Sequence, residues 1–184
     1  MVYPSVIFDL DGTLSDSSEG IMKGVRYAME RYGVTDIPEA TLRRFIGPPL
    51  YDTFSQIFGL SPAQADHAVA LYREYYLPQG MYENRLYPGI MELLERLRAA
   101  GRALYICTSK PKAVADRVLD YLGVAKAFDG VIGASMDRSL NDKISLLRLL
   151  LRERQPAGPA VMIGDTRFDL EAADACGIDG IAVQ

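Results

Sequence analysis

Val6-Ile7-Phe8-Asp9-Leu10-Asp11-Gly12-Thr13 is the stretch that decides the fold, because a short apolar run ends in it at acidic residues. The run at 6–8 has the length and composition of a buried β-strand. The sequence Asp-Gly-Thr at 11–13 then ends the strand, since aspartate and glycine favour turns. The sequence therefore predicts a strand whose carboxyl end carries Asp9 and Asp11.

From Pro88-Gly89 onward, apolar runs alternate with amphipathic helical patterns. Three of the predicted helices end at Gly101, Gly123 and Gly177, since glycine commonly follows the last helical residue. Strands that alternate with helices imply parallel pairing, which predicts a Rossmann-like, doubly wound α/β sheet. The strands of this part are predicted at 103–107, 128–132, 160–163 and 181–183.

The segment 15–86 has a different character, because it is helical and rich in tyrosine and lacks an alternating strand pattern. Pro38 and the pair Ser61-Pro62 have the form of helix starts. The pair Pro48-Pro49 interrupts the helical pattern between them. We therefore predict an α/β core at 1–14 and 87–184, with a helical cap insert at 15–86 after the first strand.

The composition limits the chemistry that the chain can perform. The 24 acidic and 20 basic residues give a net charge of −4, without a basic stripe for nucleic acid or an anionic membrane. His67 is the only histidine, which excludes a multi-histidine zinc site. Cys107 and Cys176 form no CxxC pair. Residues 1–10 lack the basic start of a signal peptide. No apolar run is long enough to span a membrane. We expect a cytoplasmic protein whose chemistry uses carboxylates, lysines and a hard metal ion.

Polar residues follow several of the predicted strands, and ligands of parallel sheets bind beyond the carboxyl ends of the strands. Each polar residue also has a structural explanation: Asp165 could cap a helix, Thr108 could end a strand, and Lys143 could be solvated. Their convergence on one edge favours a functional site. The candidates are Asp9, Asp11, Thr108, Ser109, Lys110, Asp165 and Asp169, with Lys143 at the start of a helix.

The motifs Asp9-Leu10-Asp11-Gly12-Thr13, Thr108, Lys143, and Gly164-Asp165-Thr166-Arg167-Phe168-Asp169, the last written GDxxxD, follow one another along the chain. In this order they resemble the four motifs of the haloacid dehalogenase superfamily. The segment Arg-Phe-Ile-Gly-Pro-Pro-Leu at 44–50 also resembles the helical cap of its phosphoglycolate phosphatase-like branch. The resemblance covers essentially the whole chain, although members usually continue past the last strand with a loop and a helix. We therefore expect a shortened chain or another cover for that sheet face after Gln184.

The resemblance implies a phosphatase that forms an aspartyl-phosphate. Asp9 is the implied nucleophile, and Asp11 would protonate the leaving group and then activate water. Thr108 and Lys143 would hold the phosphoryl oxygens, whose charge must be stabilised in the transition state. Gly12 would let the backbone approach the phosphate closely. Further candidates for phosphate binding are Thr13, Ser109 and Lys110.

The resemblance also implies Mg²⁺, which suits an all-oxygen site that includes substrate phosphate. The implied ligands are Asp9, the backbone carbonyl of Asp11, and Asp165. Asp169 lies four residues after Asp165, on the same face if a helix starts there, and would act through water or Lys143. The four acidic residues are therefore one predicted metal site.

A small phosphorylated metabolite is the expected substrate, because a cap can close over a site and exclude bulky molecules. Phosphoglycolate is the leading candidate, followed by nucleoside monophosphates and pyrophosphate. A phosphomutase of the same superfamily and an inactive phospholigand-binding module are the alternatives. Neither nucleic acid nor a membrane is an expected partner, and the oligomeric state stays open.

Two arginines of the insert are candidates for reading the rest of the substrate. If Pro38 opens a helix, Leu42, Phe45 and Ile46 form its buried stripe, and Arg43 and Arg44 lie away from it. A guanidinium group binds a carboxylate through two parallel hydrogen bonds, which would suit phosphoglycolate. The other explanation is that both arginines are solvated surface residues.

Overall fold

The apolar run at 6–8 lies in a strand that is buried at every position. This strand is the middle one of a five-stranded sheet. The structure is a computed structural model that describes residues 2–184. In chain order its elements are β1 (Ser5–Phe8), β2 (Ser15–Asp16), α1 (Ser18–Glu30), α2 (Glu39–Arg43), α3 (Leu50–Phe58), α4 (Pro62–Tyr76), β3 (Arg85–Leu86), α5 (Ile90–Ala99), β4 (Ala103–Pro111), α6 (Lys112–Tyr121), β5 (Gly130–Ala134), α7 (Lys143–Arg154), β6 (Ala160–Gly164), α8 (Arg167–Ala175) and β7 (Asp179–Ala182).

The strand order of the sheet is β5-β4-β1-β6-β7, and every neighbouring pair is parallel. Ser5 of β1 pairs with Ala103 of β4 on one side and with Ala160 of β6 on the other. After β1 the chain therefore forms β4 and β5 on one side of that strand, and it later forms β6 and β7 on the other side. A reversal of this kind opens a crevice at the carboxyl end of the central strand, where α/β proteins bind their ligands.

The structure confirms the predicted Rossmann-like fold, with small shifts at the strand ends. The strands predicted at 103–107 and 160–163 are β4 and β6, and both continue further toward the carboxyl end. The strands β5 and β7 begin at Gly130 and Asp179, close to their predicted positions. The helices α5 to α8 form where apolar residues recur at helical spacing, because that spacing gives each helix one face to bury.

The core behind the central strands consists of aliphatic side chains from the sheet and two helices. Ile7 of β1 and Met162 of β6 are fully buried, together with Leu146 and Leu150 of α7 and Ala172 of α8. Leu146 and Leu150 are four residues apart, so they lie on one face of α7. This packing fixes the first turn of α7 relative to the carboxyl end of β1.

The sequence did not predict β2 and β3, which form a two-stranded antiparallel pair. Ser15 pairs with Leu86 and Asp16 with Arg85, and an Arg85–Asp16 ion pair of 2.9 Å closes the ribbon. Two residues per strand are too few for an alternating pattern, and their partners are far apart in the chain. The ribbon brings together the two chain segments that flank the insert.

The insert, Ser17–Asn84, is a compact unit of helices. The predicted helix starts are confirmed, since Pro38 precedes α2 and Ser61 caps α4 with a capping box to Gln64. The other compact unit comprises residues 2–16 and Arg85–Gln184. The ribbon residues at the ends of the predicted segment 15–86 thus belong to the sheet unit.

None of the helices in residues 2–184 has the length and apolar character that a membrane-spanning segment needs.

Candidate active site

Asp9 stands at the carboxyl end of the central strand. Its backbone N–H donates to the carbonyl oxygen of Ile163 at 2.9 Å, which continues the β1–β6 pairing by one residue. Directly afterwards, the chain turns, because the N–H groups of Leu14 and Ser15 both donate to the carbonyl oxygen of Leu10. The Asp9 side chain is only 4% exposed. A carboxylate so buried needs a cationic partner or a metal ion.

The cationic partner is Lys143, the first residue of α7. Its ammonium nitrogen lies 2.7 Å from Oδ1 of Asp9 and 2.8 Å from Oδ1 of Asp169. Burial by itself favours the neutral amine, but the two carboxylates raise the pKa of Lys143 above its usual value. The predicted position of Lys143 at a helix start is confirmed. Its ammonium group is buried rather than solvated.

Burial is also the largest influence on the pKa of Asp9. Loss of solvent raises the pKa of its carboxyl group to about 6, while Lys143 acts in the opposite direction and Asp169 adds to the rise. A positive charge close to Asp9 would therefore stabilise the ionised, nucleophilic form.

Asp165 follows β6 and is only partly buried. Its Oδ1 accepts a hydrogen bond of 3.0 Å from the hydroxyl of Thr13. Partial burial raises the pKa of Asp165, and the hydrogen bond from Thr13 lowers it. The alternative that Asp165 caps the next helix is wrong, because Thr166 is the capping residue of α8.

Gly12 lies against the carboxylate of Asp165. Its φ of +85° is a conformation that side chains disfavour, and a Cβ atom built there would lie 2.7 Å from Cγ of Asp165. Glycine is therefore required at position 12 both by the backbone conformation and by the space that Asp165 occupies.

Asp169 is fully buried and is held from two sides. Its Oδ2 accepts hydrogen bonds from the backbone N–H of Thr166 at 3.0 Å and from its hydroxyl at 2.7 Å. Its Oδ1 has no hydrogen bond of good geometry but forms the ion pair with Lys143. Gly164 makes room for this side chain, since a Cβ atom there would overlap the Asp169 carboxylate.

Three of the four predicted acidic residues form one cluster. Oxygen atoms of Asp9, Asp165 and Asp169 all lie within 4.8 Å of one another. Helix α8 begins at Arg167 rather than at Asp165, so the predicted helical relation between Asp165 and Asp169 is not the reason for their proximity. An all-carboxylate donor set fits a hard cation such as Mg²⁺.

The side chain of Asp11 lies in a different environment. Both of its oxygens contact the ammonium group of Lys110, Oδ1 at 2.7 Å and Oδ2 at 2.6 Å. Both side chains are almost completely buried. The spacing of Asp9 and Asp11 did not predict this pairing, because Lys110 comes from the end of β4.

Thr108 and Ser109 lie at the carboxyl end of β4, as predicted. Thr108 is 1% exposed, and its hydroxyl oxygen accepts a hydrogen bond of 3.1 Å from the backbone N–H of Lys110. Ser109 is partly buried. The structure therefore brings Thr108, Lys110 and Asp11 to one edge of the sheet. Phosphate binding by Thr108 and Lys110 and proton transfer by Asp11 stay predictions.

Arg43 and Arg44 lie in the helical unit and are exposed. Arg43 pairs with Glu39 at 2.6 Å, one helical turn away. Of the predicted buried stripe, Leu42 and Phe45 are buried, whereas Ile46 is only partly buried. Helix α2 ends at Arg43, so Phe45 and Ile46 lie beyond it. The proposed binding of a substrate carboxylate by either arginine stays a prediction.

Thr166 is the site residue that was not assigned a role from the sequence. It holds Asp169 through its backbone and its hydroxyl. The signal was present, since a threonine followed three residues later by an acidic residue is typical of a capping box.

The chain belongs to the haloacid dehalogenase-like hydrolase family, whose model matches residues 6–183. The resemblance predicted from the four motifs is thereby confirmed. Together with the phosphatases among its relatives, the family identifies the chain as a phosphohydrolase.

Known relatives match over nearly the whole chain. A 5'-nucleotidase from Pseudomonas aeruginosa is 41% identical over 182 residues, which are 98% of this chain and 82% of that protein. Tyrosine-protein kinase PtkA from Mycobacterium tuberculosis is 39% identical over 97% of this chain, which spans 61% of that protein. A phosphoglycolate phosphatase from Mesorhizobium japonicum is 29% identical over 100% of this chain and 83% of that protein.

Solved structures have the same fold. The crystal structure of a predicted phosphatase from Clostridium acetobutylicum superposes with a TM-score of 0.96 at 34% identity. The match covers 100% of this chain and 86% of that one.

Proposed function

We propose that the chain is a Mg²⁺-dependent phosphatase that hydrolyses small phosphate monoesters through an aspartyl-phosphate on Asp9. The observation that carries the proposal is the buried Asp9 carboxylate, which contacts Lys143 and lies in one cluster with Asp165 and Asp169. This arrangement offers a nucleophile, a cation for phosphoryl oxygens and a donor set for a metal ion.

The charges of the site support a divalent cation. Four carboxylates, those of Asp9, Asp11, Asp165 and Asp169, face two ammonium groups, those of Lys110 and Lys143, so the site carries a net charge of −2 when all six groups are ionised. Like charges at such short range repel, and a divalent cation bound to the cluster relieves that repulsion. When bound, Mg²⁺ supplies positive charge to the phosphoryl oxygens of the substrate.

Asp9 is the proposed nucleophile, because it ends the central strand at the switch point of the sheet. One of its oxygens attacks phosphorus while the bond to the leaving oxygen breaks. Lys143 stabilises the negative charge of the phosphoryl oxygens in this step. Asp11 gives a proton to the leaving oxygen and then takes one from the water that cleaves the aspartyl-phosphate.

Nucleoside 5'-monophosphates are the first substrates to test, because the relative named 5'-nucleotidase is the more similar of the two named phosphatases. Phosphoglycolate is the second class, and pyrophosphate completes the set. We expect the protein in the cytoplasm, because Cys107 and Cys176 are both free thiols.

The test is release of inorganic phosphate from these substrates and from para-nitrophenyl phosphate, with Mg²⁺ and with EDTA. The proposal predicts release that requires Mg²⁺, and mass spectrometry of acid-quenched enzyme should find the phosphoryl group on Asp9. A phosphomutase would isomerise sugar phosphates without net phosphate release. Absence of release from every compound would contradict the proposal.

A further inference from the structure

The ion pair between Lys110 and Asp11 is close and almost completely buried. The ammonium nitrogen lies within 2.7 Å of both oxygens of Asp11, and the two side chains are 6% and 9% exposed. A lysine so deeply buried loses its hydration and side-chain freedom, and a buried pair of this kind is weak evidence for stability by itself. Because Asp11 lies two residues after the proposed nucleophile, the ion pair points to a role in the reaction.

The backbone of Lys110 is held as firmly as its side chain. The hydroxyl of Thr108 accepts its N–H, and the pairing of β4 with β5 shifts register between Thr108 and Pro111. Gly133 of β5 passes so close that a Cβ atom there would lie 2.7 Å from the carbonyl oxygen of Lys110. The end of β4 thus fixes the backbone conformation from which the Lys110 side chain extends.

The two buried lysines contact different carboxylates. Lys143 contacts Asp9 and Asp169, whereas Lys110 contacts both oxygens of Asp11. Because one ammonium group touches both oxygens, the plane of the Asp11 carboxylate is fixed. A carboxylate that must reach the leaving oxygen and later a water molecule needs such an orientation.

We propose that Lys110 is a positioning residue that orients Asp11 for both proton transfers, rather than a ligand of the substrate phosphate. This inference rests on the proposed phosphatase function. Asp11 takes up a proton from solvent before the first step, and in that step this proton moves to the leaving oxygen as the Asp9–phosphorus bond forms and the bond from phosphorus to the leaving oxygen breaks. In the second step a water oxygen bonds to phosphorus, its proton moves to Asp11, and Asp9 is released. Lys110 gains and loses no proton in either step.

The experiment compares Lys110→Met, Asp11→Asn and the double variant on two substrates. Para-nitrophenyl phosphate has a leaving group that needs little protonation, whereas an alkyl monoester such as AMP or phosphoglycolate needs a proton donor. The value of kcat/KM reports formation of the phospho-enzyme in both cases. Loss of orientation should lower kcat/KM for the alkyl monoester about tenfold more than for para-nitrophenyl phosphate.

The double variant separates positioning from phosphate binding. If Lys110 acts only through Asp11, Lys110→Met should cause no further loss once Asp11 is asparagine, since coupled residues are not additive. A further loss on para-nitrophenyl phosphate, or a weaker inhibition by inorganic phosphate, would mean that Lys110 binds the phosphoryl group and would overturn the inference. An equal loss on both substrates for Lys110→Met would overturn it as well.

The folded state provides a second readout. Lys110→Met leaves the Asp11 charge buried without its partner, so its melting temperature should fall below that of the double variant, which carries no such charge. If Lys110→Met does not fold, the comparison of Asp11→Asn with the double variant on para-nitrophenyl phosphate still decides the question. Absence of phosphatase activity in the wild-type protein would refute the proposed function, whereas an active wild-type with additive losses would refute only the role of Lys110.

Discussion

The ammonium nitrogen of Lys143 lies 2.7 Å from Oδ1 of Asp9, although 134 positions separate the two residues in the sequence. The contact joins the carboxyl end of the central strand to the first turn of α7. A cation at the N-terminus of a helix is unfavourable, because the helix dipole is positive there. The negative charges of Asp9 and Asp169 offset this unfavourable position of the Lys143 ammonium group. In turn, Lys143 stabilises the two buried carboxylates.

Replacing Lys143 by methionine should destabilise the metal-free protein strongly. The change keeps the volume but leaves Asp9 and Asp169 buried without their cation, which costs about 3–5 kcal/mol of unfolding free energy. Lys112→Met is the matched control, because its ion pair with Asp116 is exposed and is worth about 0–1 kcal/mol. Urea unfolding in EDTA measures both, and similar midpoints for the two variants would contradict the structural role of Lys143.

Replacing Asp9 by asparagine should abolish phosphate release while the protein stays folded. The amide keeps the shape of the side chain, but it is a poor nucleophile and cannot form the aspartyl-phosphate. Asp116→Asn is the control, because Asp116 is an exposed residue of α6 and lies outside the site. Circular dichroism checks the fold of both variants, and turnover near the wild-type rate in Asp9→Asn would exclude the covalent mechanism.

Most of the fold could be predicted from the sequence, because its elements are local patterns. The run at 6–8 and the glycines that end three helices are readable without knowledge of distant residues. The carboxylates could be placed at one edge for the same reason, since parallel strands end together. The order of the strands, by contrast, depends on contacts between distant segments.

The contacts between residues of the site were less predictable than the identity of those residues. Lys110 and Lys143 were both candidates for phosphate binding, but no pattern says that Lys110 contacts Asp11 and Lys143 contacts Asp9. These pairings depend on which strand lies beside β1 and on where β4 shifts register. The capping of α8 by Thr166 is the exception, because its signal is local.

Mg²⁺ should raise the melting temperature of the protein, and EDTA should remove its activity. The cluster of Asp9, Asp165 and Asp169 exists only in the folded state, so a cation that binds it stabilises by mass action. At a free concentration of about 100 times Kd, the gain is about 2.7 kcal/mol, or about 5–10 °C. Asp165→Asn should reduce the shift, and an unchanged melting temperature with full activity in EDTA would contradict the metal site.

The contribution of Asp9 to the stability of the metal-free protein should rise as the solution becomes more acidic through the titration range of this residue. Burial raises the pKa of Asp9 from 3.8 to about 6, so the folded protein binds this proton more tightly than the unfolded chain. Between these two values the unfolding free energy contributed by Asp9 falls with rising pH, by at most about 1.4 kcal/mol per pH unit.

The difference between the wild-type protein and Asp9→Asn isolates this contribution, because the other carboxyl groups are common to both. Urea unfolding in EDTA at several pH values measures it. A difference that stays constant with pH, or that changes in the opposite direction, would mean that Asp9 is not destabilised by its burial.

Replacing Gly12 by alanine should damage both stability and catalysis, whereas Gly101→Ala should affect stability alone. Both glycines have positive φ, +85° and +72°, so either change costs about 1–2 kcal/mol for the left-handed backbone. Around Gly101 nothing lies within 4 Å of the added Cβ, but at Gly12 it would lie 2.7 Å from Cγ of Asp165. The carboxylate of Asp165 must then move away from the cluster with Asp9 and Asp169.

We therefore expect Gly12→Ala to require more Mg²⁺ for half-maximal activity, in a Mg²⁺ titration of phosphate release, while Gly101→Ala keeps the wild-type value. Equal Mg²⁺ requirements for the two variants would show that Asp165 tolerates the displacement and does not hold the metal.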